Sequence, residues 1–342
     1  DLDHDFDPEP YFSRVRDAVS QPVELGVAEA RPSMSIGLVL SPPHLGDVDA
    51  ILRDADTAMY AAKRAGRDRW ELFTPAVRDE AIGRALTTDR LSVALQEDGF
   101  VLHYQPIVHL ATNRVLGAEA LLRLRAPDGS LLYPGQFLAA VDSGPLAADV
   151  GAWVLDHALA QQAIWQKVDP DHATGINVSP RQLGHGRFVN EVKAGLERHG
   201  VTPEHLMLEL TEDVLVASSS RAVDEIAELS ALGIRFAIDD FGTGYSSLSY
   251  LNQLPVHALK IDRSFLLEAQ KPGGQALMAA IVGVARAVGA DTVAEGVETL
   301  EQLELVRSMG VDIAQGFLLG RPEPPLDAPR ASLVDTSISH RR

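Results

Sequence analysis

The sequence predicts an α/β protein built on a (β/α)8 TIM-like barrel and preceded by a smaller, partial α/β segment. Three observations carry that expectation. Short apolar strands alternate with helical stretches about eight times over roughly 240 residues, the size of such a barrel. Those strands carry a polar residue toward their C-terminal ends, where a barrel of this kind performs chemistry. A hydrophobic content of 46% with 23% charged residues suits a folded core.

Along the chain, residues 9–20 read as a helix and Ser33–Leu40 as a strand. Asp47–Arg64 carries Val48, Ile51, Leu52, Ala55, Ala58 and Met59 at helical spacing, and Gly66 stops that helix. Arg69–Phe73 reads as a last short strand and Pro75 as an exit. Residues 1–75 therefore form a first segment, 76–98 an amphipathic linker helix, 99–325 the barrel and 326–342 a disordered tail. The barrel strands are expected at Phe100–Val108, Val115–Leu124, Thr174–Ser179, Leu206–Thr211, Arg235–Asp240, Ala258–Asp262, Thr292–Gly296 and Ile313–Leu318.

A net charge of −18 argues against DNA or RNA binding, which needs a basic face. It leaves room for a small phosphate substrate, because cations held by carboxylates invert the local field. The absence of cysteine removes disulfides and thiolate metal sites and suits a cytoplasmic location. There is no run of ~18 apolar residues and no signal peptide, so no membrane segment is expected in this chain. The chain opens with Asp1, which fits a piece of a longer protein with membrane or sensor segments upstream.

The polar residues at the strand ends are Gln105, Glu119, Asn177, Glu209, Asp239 with Asp240, Lys260, Glu295 and Gln315. Carboxylates plus an Asn amide oxygen make an all-oxygen set, which selects Mg²⁺, Mn²⁺ or Ca²⁺ over zinc or copper. At a strand end Asp239 can point inward while Asp240 reaches into the next loop, so two ions ~3.5–4 Å apart could share one of them. A turn-starting Asp-Asp before glycine is the plainer alternative. Lys260, ringed by acids, stays protonated and either orients a water or neutralises phosphate charge; an internal salt bridge is the other reading, and a Schiff-base role is disfavoured. Glu119, Leu121 and Arg123 share one strand face, which places a cation near a metal-binding acid, with a surface salt bridge as the alternative. Phe241–Ser247 (FGTGYSS) reads as a mobile functional loop, with an ordinary strand-to-helix connection as the alternative. No histidine pairs with a strand end at ligand spacing.

YQPI, GAEALLR, INVSPRQL, LELTED, IDDFGTGYSSLSYL, LKIDRSF, VAEGVET and AQGFLLGRP, in that order from about residue 85 to 325, closely resemble the EAL-domain phosphodiesterases. The resemblance implies a barrel with one reversed strand and hydrolysis of cyclic di-GMP to linear pGpG by attack of an activated water. It implies Mg²⁺ or Mn²⁺, two per site, with Ca²⁺ inhibitory, and a homodimer through the barrel. Carried over residue by residue, Glu119, Asn177, Glu209 and Asp239 resemble metal ligands and Asp240 serves a second ion. Glu295 resembles a ligand or general base; Lys260 and Gln315 resemble contacts to the catalytic water. Gln105 and Arg123 resemble substrate contacts, Glu212 the acid that holds the FGTGYSS loop, and Glu298 a support of the rim.

Residues 141–146 (VDSGPL) depart from the family's pattern, with Asp142 in place of a Glu and Pro145 in place of a glycine; His109 stands where an Asp is common. SMSIGLVL and DADTAMYAAKRAGRDRWELF resemble the C-terminal half of a GGDEF (diguanylate cyclase) domain. Lys63 and Arg67 fit phosphate-contacting positions there, but the GGDEF signature is absent from this chain, so no cyclase activity is expected. Half a sheet with an open edge is expected to be marginally stable or to pack on the linker helix. The rival readings are a catalytically silent cyclic di-GMP receptor acting through protein partners and a lyase or aldolase using Lys260.

Overall fold

The computed structural model of the 342-residue chain describes residues 8–21, 23–24, 29–30, 32–40, 48–64, 68–74, 89–97, 99–126, 129–212, 220–242, 251, 254–271 and 273–329. Its contacts divide the chain into two units, Asp1–Asp89 and Arg90–Arg342. Gly66, Arg67, Pro75, the linker-helix residues 76–88, residues 243–250 of the FGTGYSS region and tail residues 330–342 lie outside the described residues.

In the first unit, helices Glu9–Val19 and Val48–Arg64 accompany a parallel pair of three-residue strands, Ile36–Leu38 and Trp70–Leu72. The strands are shorter than the apolar runs that predicted them, because the ladder extends only from Ile36 opposite Trp70 to Leu38 opposite Leu72. Gly37 is needed where its strand crosses the second helix: a Cβ there would stand 1.9 Å from the Ala55 carbonyl oxygen. Ala58 and Ala62 of that helix are fully buried.

The second unit is a closed barrel. Its strands are β1 (Phe100–His109), β2 (Val115–Arg125), β3 (Ala173–Val178), β4 (Leu206–Thr211), β5 (Arg235–Phe241), β6 (Ala258–Ile261), β7 (Asp291–Ala294) and β8 (Ile313–Ala314). Neighbours from β2 through β8 pair parallel, whereas β1 runs antiparallel to both β2 and β8 and closes the ring. This is the reversed strand that the resemblance implied. Residues 89–96 are helical, and Leu91 and Ala94 of that helix join the barrel's core.

Strands β8, β1 and β2 depart most from the expectation. β8 ends at Ala314 instead of Leu318, and the seam is completed further on, where Tyr104 of β1 exchanges two backbone hydrogen bonds with Glu323. Gln105 and Glu119 sit in the middle of β1 and β2, because these two strands form a long hairpin that outruns the barrel and adds a short antiparallel strand, Leu131–Leu132. The segment after the barrel passes helix Ala147–Trp165, where the Leu326 carbonyl accepts from Trp165 Nε1 at 2.8 Å.

Side-chain alternation positions the site. Met207, Ala237, Ala258, Val293 and Ile313 point inward and pack together, with Ile107, as an apolar layer inside the ring. Two residues further along stand Glu209, Asp239 and Lys260 on their strands and Glu295 and Gln315 one residue past the ends of β7 and β8, and two residues before Ile107 on the reversed strand stands Gln105. A period of two makes every one of these the next inward side chain. A polar layer therefore rests directly on an apolar floor. The larger core lies between the outer face of the ring and the helices and includes Ile176, Leu208, Phe236, Leu259, Leu159 and Ile281.

Candidate active site

The polar layer opens into a cavity of about 480 Å³ whose lining includes Gln105, Glu119, Asn177, Asp239, Lys260, Glu295 and Gln315. Lys260 is the hub. Its Nζ lies 2.5 Å from Glu209, 2.7 Å from Glu295, 3.1 Å from Asp239 and 3.4 Å from Glu119. Of the earlier alternatives for Lys260, an internal ion-pair hub is what this structure contains. Glu119 also accepts from Asn177 Nδ2 at 2.6 Å and from Gln315 Nε2 at 2.7 Å, and Gln315 donates to Gln105 Oε1 at 3.0 Å.

Each shift of proton affinity has a visible cause. Burial alone would push the Lys260 ammonium down, but the four carboxylates hold it well above the usual lysine range. Burial likewise pushes Glu119 up, yet the Lys260 charge and the bonds from Gln315 and Asn177 bring it below the ordinary value. Glu209 is raised well above its ordinary value by burial and by the charge of Glu119. Glu295 is pushed up to about 7, first by burial and then by Asp239 and Glu119, against the pull of Lys260. Asp240 is raised by burial and by the neighbouring Asp239. One ammonium does not balance this many carboxylates, and the excess negative charge is part of what raises Glu209 and Glu295.

The same surplus makes a candidate cation site. Carboxylate oxygens of Asp239, Asp240 and Glu295 lie within 4.8 Å of one another. Asp240 reaches that position with φ +54°, a conformation uncommon outside glycine and a sign of backbone strain retained at a site. Its amide donates to Asp239 Oδ1 at 3.1 Å. The Oε1 of Gln315 is buried without a hydrogen-bond partner in this cavity. An all-oxygen cluster with surplus negative charge fits a hard divalent cation.

Raised carboxyls stabilise the metal-free fold below the unfolded value and lose that contribution as pH climbs through the folded value, about 7 for Glu295. Divalent cations compete with those protons, so metal binding strengthens as they leave. The rise in melting temperature caused by Mg²⁺ or Mn²⁺ is expected to be larger at about pH 8 than at about pH 5. Differential scanning fluorimetry with and without chelator measures it. A cation effect that shrinks with rising pH contradicts this electrostatic account.

The other predicted residues fall into place differently. Glu209 lies beneath the cavity, buried against Lys260. Glu212 accepts from the Gly242 amide at 3.0 Å and so ties the end of β4 to the start of the FGTGYSS region. Arg123 shares the face of Glu119 but does not line the cavity; its guanidinium lies 5.0 Å over the Tyr133 ring, with Nε buried and unpartnered. Glu298 lines the rim and pairs with Arg263. Asp142 also lines the cavity, where burial raises its carboxyl against the hydrogen bond from Ser179.

The sequence reading missed several contributors. A Cβ on Gly175 of β3 would meet Glu209 Oε1 at 2.3 Å, so the glycine makes room for that carboxylate; a glycine inside an apolar strand was the available signal. Arg263 and Phe317 line the cavity too, inside motifs quoted for other residues. Leu138, Val141, Val150 and Val154 give the cavity an apolar wall.

Residues 88–322 match the model of the EAL domain. The chain belongs to the EAL-domain family. Residues 8–69 match the diguanylate cyclase GGDEF domain, so a partial GGDEF segment precedes the EAL domain. The bifunctional diguanylate cyclase/cyclic di-GMP phosphodiesterase MucR of Pseudomonas aeruginosa is 40% identical over 310 residues, 90% of this chain and 45% of that protein. The cyclic di-GMP phosphodiesterase PdeR of Escherichia coli is 35% identical over 317 residues, covering 92% and 48%. The chain thus spans about half the length of these curated relatives. The solved structure of the PaMucR phosphodiesterase in complex with c-di-GMP matches with a TM-score of 0.67 and 41% identity, over 70% of this chain and 98% of that one. Among the described residues, no helix is long and apolar enough to cross a membrane.

Proposed function

We propose that this EAL domain hydrolyses cyclic di-GMP to linear pGpG in a reaction that needs Mg²⁺ or Mn²⁺. The observation that carries the reading is the layer of carboxylates around Lys260 at the barrel mouth, in a cavity of about 480 Å³. Relatives and a neighbouring structure named for the same activity or ligand support it. Glu119, Asn177, Glu209 and Asp239 would hold one cation, and Asp239, Asp240 and Glu295 a second. Cations there would acidify a water and offset charge on the phosphate oxygens; Ca²⁺, with its looser geometry, would bind and inhibit.

The protein's own groups do the rest. Asn177 gives its amide N–H to Glu119, which leaves its amide oxygen for a cation. Lys260 stays protonated and presents N–H donors to the water or to a phosphate oxygen. Glu295, beside Lys260 in the ring, accepts the proton of the attacking water. The unpartnered Gln315 Oε1 accepts a hydrogen bond from that water and fixes its direction. Gln105, held by Gln315 and the Gly320 carbonyl, faces the substrate. Arg123 would have to leave Tyr133 to reach a phosphate oxygen.

Liquid chromatography of cyclic di-GMP incubated with protein and Mn²⁺ tests the reading, and absence of pGpG with metal present refutes it. Glu212→Ala removes the acceptor of the Gly242 amide and with it the tether beside Asp239 and Asp240. Steady-state assays are expected to show kcat lower by roughly 10–100-fold, the size typical of lost supporting contacts at metal sites.

A further inference from the structure

The described lining of the cavity is acidic, neutral polar or apolar, and apart from Lys260 its one cationic side chain is Arg263. Arg263 opens the helix Arg263–Ala269, directly after Asp262, whose carboxylate caps that helix at the Ser264 amide. Its stem crosses Gly296, which has φ +67° and where a Cβ would stand 2.7–2.8 Å from Arg263 Cβ, Cγ and Cδ. Glycine at that position therefore lets the arginine lie along the rim. The guanidinium donates from Nη2 to Glu298 at 2.7 Å, and both side chains are partly exposed, at 48% and 32%.

The rest follows from charge and number. A cyclic dinucleotide carries two phosphodiesters, and while one is cleaved over the carboxylate cluster the other must occupy the same cavity. Lys260 belongs to the cleavage centre: four carboxylates lie within 3.4 Å of it and its side chain is 3% exposed, so it cannot also reach the second phosphate. Arg263 has N–H donors beyond the one given to Glu298 and a fork geometry that matches phosphate oxygens. Exposed pairs of the Arg263–Glu298 kind contribute little, so re-aiming the guanidinium is cheap. Resting on the phosphodiesterase reading above, we infer that Arg263 grips the phosphate that is not being cleaved, which makes it a specificity residue for cyclic dinucleotides over simple phosphodiesters.

The test compares wild type, Arg263→Ala and Arg263→Lys on two substrates with Mn²⁺: cyclic di-GMP and bis(p-nitrophenyl) phosphate, which has no second phosphate. Calorimetric binding of cyclic di-GMP in chelator gives a second readout, free of turnover. For Arg263→Ala, the loss of kcat/KM on cyclic di-GMP is expected to exceed the loss on bis(p-nitrophenyl) phosphate about tenfold or more, carried by KM, with Kd weakened alongside. Arg263→Lys should recover part of both, since it restores the charge without the fork. Equal losses on the two substrates, or an unchanged Kd, overturn the assignment. A wild-type protein that neither binds nor cleaves cyclic di-GMP but still cleaves the simple diester refutes the substrate reading, and the assignment with it.

Discussion

Glu119→Ala is expected to lower kcat for cyclic di-GMP by at least about 10³-fold, about 4 kcal/mol of transition-state stabilisation. Glu119 receives Asn177, Gln315 and Lys260 at once. Its loss removes a carboxylate from the proposed cation site and frees three donors that had a common acceptor. Asn177 then has no partner to fix its amide oxygen, and Gln315 loses the bond that holds its Oε1 toward the cavity. Glu119→Gln keeps the shape and changes the charge, so it separates packing from electrostatics: kcat should fall nearly as far, because the carboxylate charge is what a hard cation takes from this position. KM for the dinucleotide should move far less than kcat, since the apolar wall and the rim bind the rest of the substrate. Steady-state kinetics at saturating Mn²⁺ decides the matter. Turnover within tenfold of wild type in either variant removes Glu119 from the cation site.

Most of this site was legible because the barrel reads its own sequence in steps of two. Met207–Glu209, Ala237–Asp239, Ala258–Lys260, Val293–Glu295 and Ile313–Gln315 are each an apolar inward residue followed by a polar one, and the strand repeat alone stacks them as floor and site. Alternation could not reveal that Gln105 and Glu119 lie mid-strand. That depends on how far the β1–β2 hairpin overshoots the ring, which is a matter of tertiary pairing. Nor could it give the end of β8, where the apolar run AQGFLL turns at Gly316 against Val297, with no room for a side chain, instead of continuing as strand. Arg123 shows the limit most clearly. Strand periodicity placed it on the face of Glu119, but long side chains choose among rotamers, and here the guanidinium stacks on Tyr133, a residue from a different segment. The reversed strand came from family resemblance; composition and spacing contain no sign of it.

Lys260→Met is expected to destabilise the metal-free barrel by roughly 3–5 kcal/mol at about pH 8, the usual consequence of stripping one partner from a buried ionic cluster. Methionine keeps the length of the stem, so the change isolates the ammonium. Without it, Glu119, Glu209, Asp239 and Glu295 face one another above an apolar floor that offers no counter-charge. Protons offer a partial escape. The raised affinities of Glu209 and Glu295 would rise further, so the destabilisation should shrink at about pH 5, where the surplus carboxylates can be neutral. Cations offer a fuller one: in Mn²⁺ most of the lost stability should return, because the ion supplies the charge that the ammonium supplied. Activity should not return with it. With the cation in place and the fold restored, the missing N–H donors still leave kcat lower by about 10²-fold or more. Urea denaturation of the barrel in chelator and in Mn²⁺ at the two pH values, beside steady-state kinetics, separates these effects. If stability in chelator matches wild type at about pH 8, the lysine is not what balances the cluster, and the electrostatic account of the site fails at its centre.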